Sequence, residues 1–203
     1  MAFDFTGPPT AKLAPDDLLS LERYARERAA LRPRVISHKK RRTVHCGPSV
    51  TLCFEDRFTV QYQVQEMLRI ERIFEAPGIA DELAAYNPLI PDGTNWKATL
   101  LVEFPDPDER RAALAVLKGI EDRCWVAVDG HSRVYAIADE DLERENEEKT
   151  SSVHFVRFEL DAGMIADVKR GAAIGVGVDH ERYRHEVRPL PADAREALGR
   201  DLA

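Results

Sequence analysis

The chain has 203 residues, a net charge of -7, 44% hydrophobic residues and 32% charged residues. This composition supports a buried core and argues against a disordered or fibrous chain, and the length favours a single domain. No apolar run reaches the ~18–20 residues that a membrane helix needs, and no export signal begins the sequence, so we expect a cytoplasmic protein without membrane contact. The three cysteines, Cys46, Cys53 and Cys124, are expected to be free thiols.

The first half of the chain is predicted to be mainly helical. Residues 1–13 lack periodicity and are expected to be a flexible lead-in. Pro15 and two aspartates then start a helix that we expect to end near Leu31, because Pro33 cannot continue it. The other predicted elements of this half are a hairpin over residues 43–54, a helix over 57–74, a short helix over 79–86 and a loop over 87–95 that is long for a mere connection.

The second half is predicted to alternate strands with helices in two β-α-β units, which an acidic segment separates. The elements are strand 97–104, helix 108–118, strands 123–128 and 133–137, strand 152–160, helix 161–169, strand 172–178 and an edge strand through 187. Residues 189–203 are expected to be a short exposed helix or tail. We therefore predict one α+β domain over 14–188, in which a helical segment and a hairpin precede the two units and helices flank a mixed or antiparallel sheet.

A cluster of basic residues over 32–42 contains no acid, although the whole chain is acidic. Lysine and arginine side chains without nearby acids attract phosphate and carboxylate groups. Three interpretations stay open: a solvated or salt-bridged surface, a site for an anionic small molecule or an acidic protein partner, and a nucleic-acid site. The last is disfavoured, because the acidic remainder of the chain would repel a polyanion. The candidate binding residues are His38, Lys39, Lys40, Arg41 and Arg42.

The helix predicted over residues 57–74 has a strongly polar face. A polar face of this kind is typical of side chains that pair with one another on a helix surface. It would also serve as a hydrogen-bonding surface for a ligand or a partner. Glu66 is expected to pair with Arg69 or Arg72. The residues that this helix adds to the candidate binding site are Gln61, Gln65, Glu66, Arg69 and Arg72.

A metal-binding protein or enzyme is the alternative function. Thiolates, imidazoles and carboxylates bind zinc, copper or iron, and the candidate ligands are His38, His45, Cys46, Cys53 and Glu66. The sequence contains no C-x-x-C pair, and His45 and Cys46 are expected to point to opposite faces of a strand. Buried, unreactive thiols are the simpler interpretation. Catalytic residues stay unassigned, because the sequence lacks the G-x-S-x-G, Walker A and H-E-x-x-H motifs.

Four segments of the chain resemble a bacterial family known only as a domain of unknown function, number 3501. They read VQYQVQEMLRIERI (60–73), YNPLIPDG (86–93), VYAIADE (134–140) and AIGVGVDH (173–180), and the resemblance covers nearly everything from Leu13 to Val187. It implies no activity, cofactor or catalytic residue. The genes of this family often lie near those of rubrerythrin-like proteins and iron-sulfur oxidoreductases, which implies a setting of peroxide defence or electron transfer.

We therefore expect a cytoplasmic accessory protein that binds a partner or an anionic ligand through the basic cluster and the polar helix. The partner that the family setting implies is a rubrerythrin-like or iron-sulfur protein. The sequence identifies no cofactor, and it leaves the metal-binding and nucleic-acid alternatives open.

Overall fold

The computed structural model describes residues 8–142, 144–146 and 148–203, so residues 1–7 of the predicted lead-in lie outside the described residues. The fold is α+β, as predicted. Its helices are α1 (Leu21–Lys40), α2 (Arg57–Glu71), α3 (Ala76–Tyr86), α4 (Pro107–Val116), α5 (Ala162–Lys169) and α6 (Ala192–Gly199). Its strands are β1 (Thr43–His45), β2 (Val50–Phe54), β3 (Asn95–Val102), β4 (Cys124–Val128), β5 (Val134–Tyr135), β6 (Ile137–Ala138), β7 (Val153–Glu159), β8 (Ile174–His180) and β9 (Tyr183–Val187). None of the helices in these residues combines the length and the apolar character that crossing a membrane requires.

The strands form two antiparallel sheets, where the sequence pattern predicts one. The five-stranded sheet has the order β1-β2-β3-β7-β6, and the four-stranded sheet has the order β5-β4-β8-β9. The strand predicted over 133–137 is divided at Ala136, so that β5 joins one sheet and β6 joins the other. Side chains of both sheets, such as Trp96, Phe158 and Val176, meet in one core.

Helix α1 continues through Pro33, which corrects the helix end predicted near Leu31. Proline has no amide hydrogen and removes one helix hydrogen bond. Tyr24, Leu31 and Val35 are nevertheless all buried, and their packing on both sides of the proline stabilises a continuous helix. The basic cluster is therefore the end of α1, where cations interact favourably with the negative end of the helix dipole.

Helices α1, α2 and α3 pack together beside the five-stranded sheet. Val64 of α2 and Leu83 of α3 belong to a second, smaller apolar cluster. The side chain of Asp56 caps α2 by accepting a hydrogen bond from the Thr59 amide. Next to this cap the chain is tied to β3, since the Glu55 amide donates to the carbonyl oxygen of Lys97 at 2.8 Å.

Both ends of the described chain are packed. Leu13 is buried, and its amide donates to Oδ1 of Asn87 at 2.7 Å. The C-terminal segment contains a helix, as predicted, but the expected exposure is wrong: Leu198 and Leu202 belong to the main core, and Nε1 of Trp96 donates to the carbonyl oxygen of Leu198 at 2.9 Å. Helical spacing of the apolar residues in this segment explains the burial. The domain boundaries at residues 14 and 188 stay predictions.

Candidate functional site

The basic cluster at the end of α1 divides into surface residues and one buried arginine. Arg42 is only 4% exposed, and its two terminal nitrogens lie 2.8 and 2.6 Å from the carboxylate oxygens of Asp201. Its Nε lies 2.9 Å from Oδ2 of Asp56. Arg42 is therefore part of the folded interior and is closed to a ligand. The neighbouring cations that are partly or fully exposed are Lys39, Lys40 and Arg41.

An open groove of about 500 Å³ lies beside His38. Nε2 of His38 is 2.6 Å from Oδ2 of Asp56, and the His38 ring meets the Phe58 ring edge-on at 4.8 Å between centroids. The groove is lined by Pro33, Arg34, Ser37, His38, Arg41 and Phe58. None of these lining residues is acidic, so the groove attracts negative charge.

Gln61 and Gln65 are buried against the segment that precedes α1. Nε2 of Gln61 donates to the carbonyl oxygen of Asp17 at 2.5 Å. The amide of Gln65 accepts from the Leu19 backbone at 2.6 Å and donates to it at 3.3 Å. These two glutamines hold α2 to the N-terminal segment and are not available to a ligand. Arg72, by contrast, is exposed beyond the end of α2.

Glu66 and Arg69 belong to an ion-pair cluster between α1 and α2. The carboxylate of Glu66 accepts hydrogen bonds from Arg28 at 2.7 and 2.8 Å and from the hydroxyl of Tyr24 at 2.5 Å. Arg69 lies 3.2 Å away, which confirms the predicted pairing with Glu66. The Arg28 hydrogen bond, supported by Tyr24 and Arg69 and opposed by burial, lowers the pKa of Glu66 to about 2.

This lowered pKa makes Glu66 a source of pH-dependent stability. A glutamate in an unfolded chain titrates near pH ~4.3, so the stabilisation is complete above that pH and is lost as the pH falls toward 2. We expect Glu66→Gln to lower the free energy of unfolding at pH 7 by about 2 kcal/mol, and to flatten its decline at acid pH. Urea unfolding between pH 7 and pH 3 measures both effects. An equal loss in the control Glu71→Gln, which changes an exposed residue of the same helix, would contradict this prediction.

The histidine and the thiols of the β1-β2 hairpin do not converge. His45 is exposed, with Nδ1 at 3.0 Å from Oγ1 of Thr51, whereas Cys46 is buried. Burial raises the pKa of the Cys46 thiol to about 12. The cysteines are free thiols, as predicted. Within the described part of the chain, no three of the predicted ligands lie close enough to share a metal ion; these are His38, His45, Cys46, Cys53 and Glu66.

Glu121, Asp139 and His154 form a different group of potential metal ligands. Nε2 of the fully buried His154 lies 3.1 Å from both the carbonyl oxygen of Ser151 and Oγ1 of Thr150. Nδ1 lies 2.6 Å from Oδ2 of Asp139. Both ring nitrogens therefore have hydrogen-bond partners within the chain. The three side chains thus belong to a buried hydrogen-bond network that includes Thr150.

A large cleft of about 1010 Å³ lies between the helices and the five-stranded sheet. Met67 of α2 and Tyr86 of α3 line one wall. Ile137 of β6 and Phe155 of β7 line the other wall, and Phe155 lies on the face of β7 that points away from the main core. A cleft of this volume with apolar walls has the character of a small-molecule site.

The three cations that line the cleft are all held by partners within the chain. Nζ of Lys97 donates to two backbone carbonyls at 2.8 and 3.0 Å and lies 2.6 Å from Asp92. Lys12 lies 2.6 Å from the other oxygen of Asp92. Arg157 donates two hydrogen bonds to Glu140, at 2.8 and 2.9 Å. These cations are therefore neutralised, and the cleft does not favour an anion.

Glu82 is the unmatched charge of the cleft, which five acidic and three basic residues line. Its Oε2 is shielded from solvent and has no hydrogen-bond partner among the described residues. Burial, with repulsion from Glu71 and Asp81, raises the pKa of Glu82. A carboxyl group in this environment is stabilised by a ligand that supplies a hydrogen-bond donor or a positive charge.

The sequence pattern does not reveal this cleft, because its residues come from separate segments that only the tertiary fold brings together. The sequence gives one indication of the cleft: the loop over 87–95 is long for its connection. This loop supplies lining residues such as Pro88 and Asp92. Cysteine, serine and histidine are absent from the described residues that line the cleft.

Fold and site together define an α+β protein with a ligand-sized cleft between a helical layer and a sheet. Over residues 12–202 the chain matches the family described as "Protein of unknown function (DUF3501)", and it belongs to this family, as its sequence predicts. No curated protein matches the chain. It is similar to the crystal structure of a novel protein of unknown function from Burkholderia pseudomallei K96243, with a TM-score of 0.90 and 52% identity, over 95% of this chain and 100% of that chain.

Proposed function

We propose that the protein binds a small amphipathic molecule, with an apolar body and a positively charged amine, in the cleft between α3 and β7. The observation that carries this proposal is Glu82: among the described residues its buried Oε2 has no partner, and every cation that lines the cleft is already paired. The amine would meet this carboxylate and supply the missing donor. The apolar body would pack between Met67 and Phe155.

The expected energies make the amine the main source of specificity. A hydrogen bond between charged groups contributes about 1.5–3 kcal/mol, which corresponds to a tenfold or greater difference in affinity. Contact with the apolar walls contributes about 25 cal/mol for each Å² of apolar surface removed from water, and an alcohol of the same shape would gain it equally. The affinities for the amine and for the alcohol should therefore differ only by the contribution of Glu82.

We expect 2-phenylethylamine to bind in isothermal titration calorimetry, and 2-phenylethanol to bind at least ten times more weakly. Glu82→Gln should reduce this preference to less than threefold, because its neutral amide does not attract the ammonium group. Glu109→Gln, which removes an exposed carboxylate of α4 outside the cleft, is the matched control and should retain the preference.

Two results would contradict the cleft proposal. The first is equal affinity of the wild type for the amine and the alcohol. The second is a preference for the amine that Glu82→Gln retains in full, since the cation would then bind elsewhere.

A second proposal concerns the groove beside His38. We propose it as a docking site for an anionic ligand or for an acidic surface of a partner protein, and the partner that the family setting implies is a rubrerythrin-like or iron-sulfur protein. The proposal is supported by the position of Arg34, His38 and Arg41 around one groove without a lining acid. It extends to the neighbouring surface cations, Lys39 and Lys40, and it excludes the buried Arg42.

Binding to a purified rubrerythrin-like protein from the same organism tests this second proposal. We expect the double variant Arg34→Glu, Arg41→Glu to bind at least ten times more weakly than the wild type, and wild-type binding to weaken with added salt. Arg111→Glu, on the exposed surface of α4, is the control. Equal binding by the double variant and the control would contradict a docking role for the groove.

A further inference from the structure

A second cavity lies on the outer face of the four-stranded sheet, away from the cleft of the proposed function. Its volume is about 430 Å³. Residues of β4, β8 and β9 line it together with Arg133 from the turn before β5; the set is Trp125, Arg133, Val178, Asp179, Arg184, His185 and Glu186. This volume lies within the range of small-molecule sites and far exceeds the ~30 Å³ that one water occupies.

Trp125 lines this cavity, and its indole ring is tightly packed. It pairs with Gly177 across β4 and β8. A Cβ atom at Gly177 would lie 2.4 Å from Cζ2 and 2.7 Å from Cε2 of the indole, so only glycine leaves room for this edge of the ring. The guanidinium carbon of Arg133 lies 3.9 Å from the ring centroid. The indole is therefore held between the strand and a cation–π contact.

Two buried polar atoms of the cavity lack partners. Trp125 is only 1% exposed, and its Nε1 has no hydrogen-bond acceptor among the described residues. Oδ1 of Asp179 is also buried and has no partner in the described part of the chain, whereas Oδ2 accepts from Tyr135 at 2.6 Å and from Arg133 at 3.3 Å. Asp179 lies two residues beyond Gly177 on β8, and hence on the same face as Trp125. The cavity thus contains one hydrogen-bond donor and one acceptor without partners among the described residues. Buried polar groups are normally paired, so each of these two requires an explanation.

The charges around the cavity indicate a neutral ligand. The cavity is lined by two arginines and two carboxylates, and Arg133 lies 3.3 Å from both Asp179 and Glu186. An anion or a cation beside Arg133 would therefore compete with existing pairs. A molecule that presents an acceptor and a donor side by side would satisfy Nε1 of Trp125 and Oδ1 of Asp179 together.

We propose that this cavity binds a neutral molecule through an amide-like edge, as found in a carboxamide or on a nucleobase. The carbonyl oxygen accepts from Nε1 of Trp125, and the adjacent N–H donates to Oδ1 of Asp179. The site is independent of the proposed function, because the two cavities share no residue.

Indole signals in a ¹H–¹⁵N correlation spectrum of the full chain test this proposal. The chain has two tryptophans, and Trp96 already donates to Leu198, so its signal is an internal reference. The signals are assigned with Trp125→Phe. We expect nicotinamide or uracil to shift the Trp125 signal downfield with saturation and to leave the Trp96 signal in place. Nicotinamide represents the carboxamide source and uracil the nucleobase source.

Asp179→Asn supplies the decisive comparison. Its carbonyl oxygen can keep the bonds from Tyr135 and Arg133, which turns the unpartnered acceptor into an NH₂ donor. We expect at least a tenfold weaker affinity for the probe, while Glu181→Gln, an exposed residue outside the cavity, has no effect. Three results would overturn the proposal: no saturable shift with either probe, an equal response to acetate, or unchanged affinity in Asp179→Asn.

Discussion

Asp201→Ala is expected to lower the free energy of unfolding by about 3–5 kcal/mol, because it leaves the guanidinium of Arg42 buried without its main partner. Asp201 is 1% exposed and receives two hydrogen bonds from Arg42, at 2.8 and 2.6 Å. The remaining contacts of Arg42 are with Asp56, which His38 also engages, and with the carbonyl oxygen of Ala197. Urea unfolding at pH 7 measures the loss.

Two further variants distinguish the loss of the ion pair from a general destabilisation of the C-terminal segment. The double variant Arg42→Leu, Asp201→Leu should recover much of the loss, because replacing a whole buried pair with apolar residues avoids an unpaired charge. Glu196→Ala breaks an exposed pair on α6, the helix that directly precedes Asp201, and should cost less than about 1 kcal/mol. A loss for Asp201→Ala no larger than that of Glu196→Ala would contradict this role for Arg42.

His154→Leu is expected to cost about 3 kcal/mol. The variant removes a fully buried ring whose two nitrogens bond to Asp139 and to the backbone of Ser151, and it deprives Oδ2 of Asp139 and the carbonyl oxygen of Ser151 of these bonds. For a chain of this size the corresponding fall in Tm is roughly 6–12 °C. Differential scanning calorimetry measures it directly.

His45→Leu is the matched control for His154→Leu. His45 is exposed on the edge strand β1, so its substitution should change stability by no more than about 0.5 kcal/mol. Equal effects of the two substitutions would show that the network around His154 does not stabilise the fold.

The local sequence pattern predicts most helices and strands of this fold, and tertiary packing decides the remaining ones. The β1-β2 hairpin and helices α2 and α5 lie where apolar spacing and turn residues indicate them. Helix α1 departs from its prediction because packing on both sides of Pro33 outweighs the local penalty of proline. The division of strands between two sheets depends on contacts between distant segments, which periodicity alone does not report.

The charge pattern locates the basic surface but does not identify the partners of each charge. Arg42 is indistinguishable from its neighbours in sequence, yet it pairs with Asp201, which lies 159 positions away. Gln61 and Gln65 likewise resemble exposed residues of a polar helix, and they are buried by bonds to a segment about 45 positions earlier. Glu82 becomes a candidate only when β6 and β7 close the cleft beside α3.

The most direct test of the proposed function observes the cleft itself during a titration with 2-phenylethylamine. Methionine methyl groups labelled with ¹³C suit this purpose, because Met67 lines the cleft and Met164 is buried in the main core. The account predicts a saturable shift of the Met67 signal, an unchanged Met164 signal, and loss of the response in Glu82→Gln. A Met67 signal that stays fixed while calorimetry detects binding, or an equal shift of Met164, would contradict it.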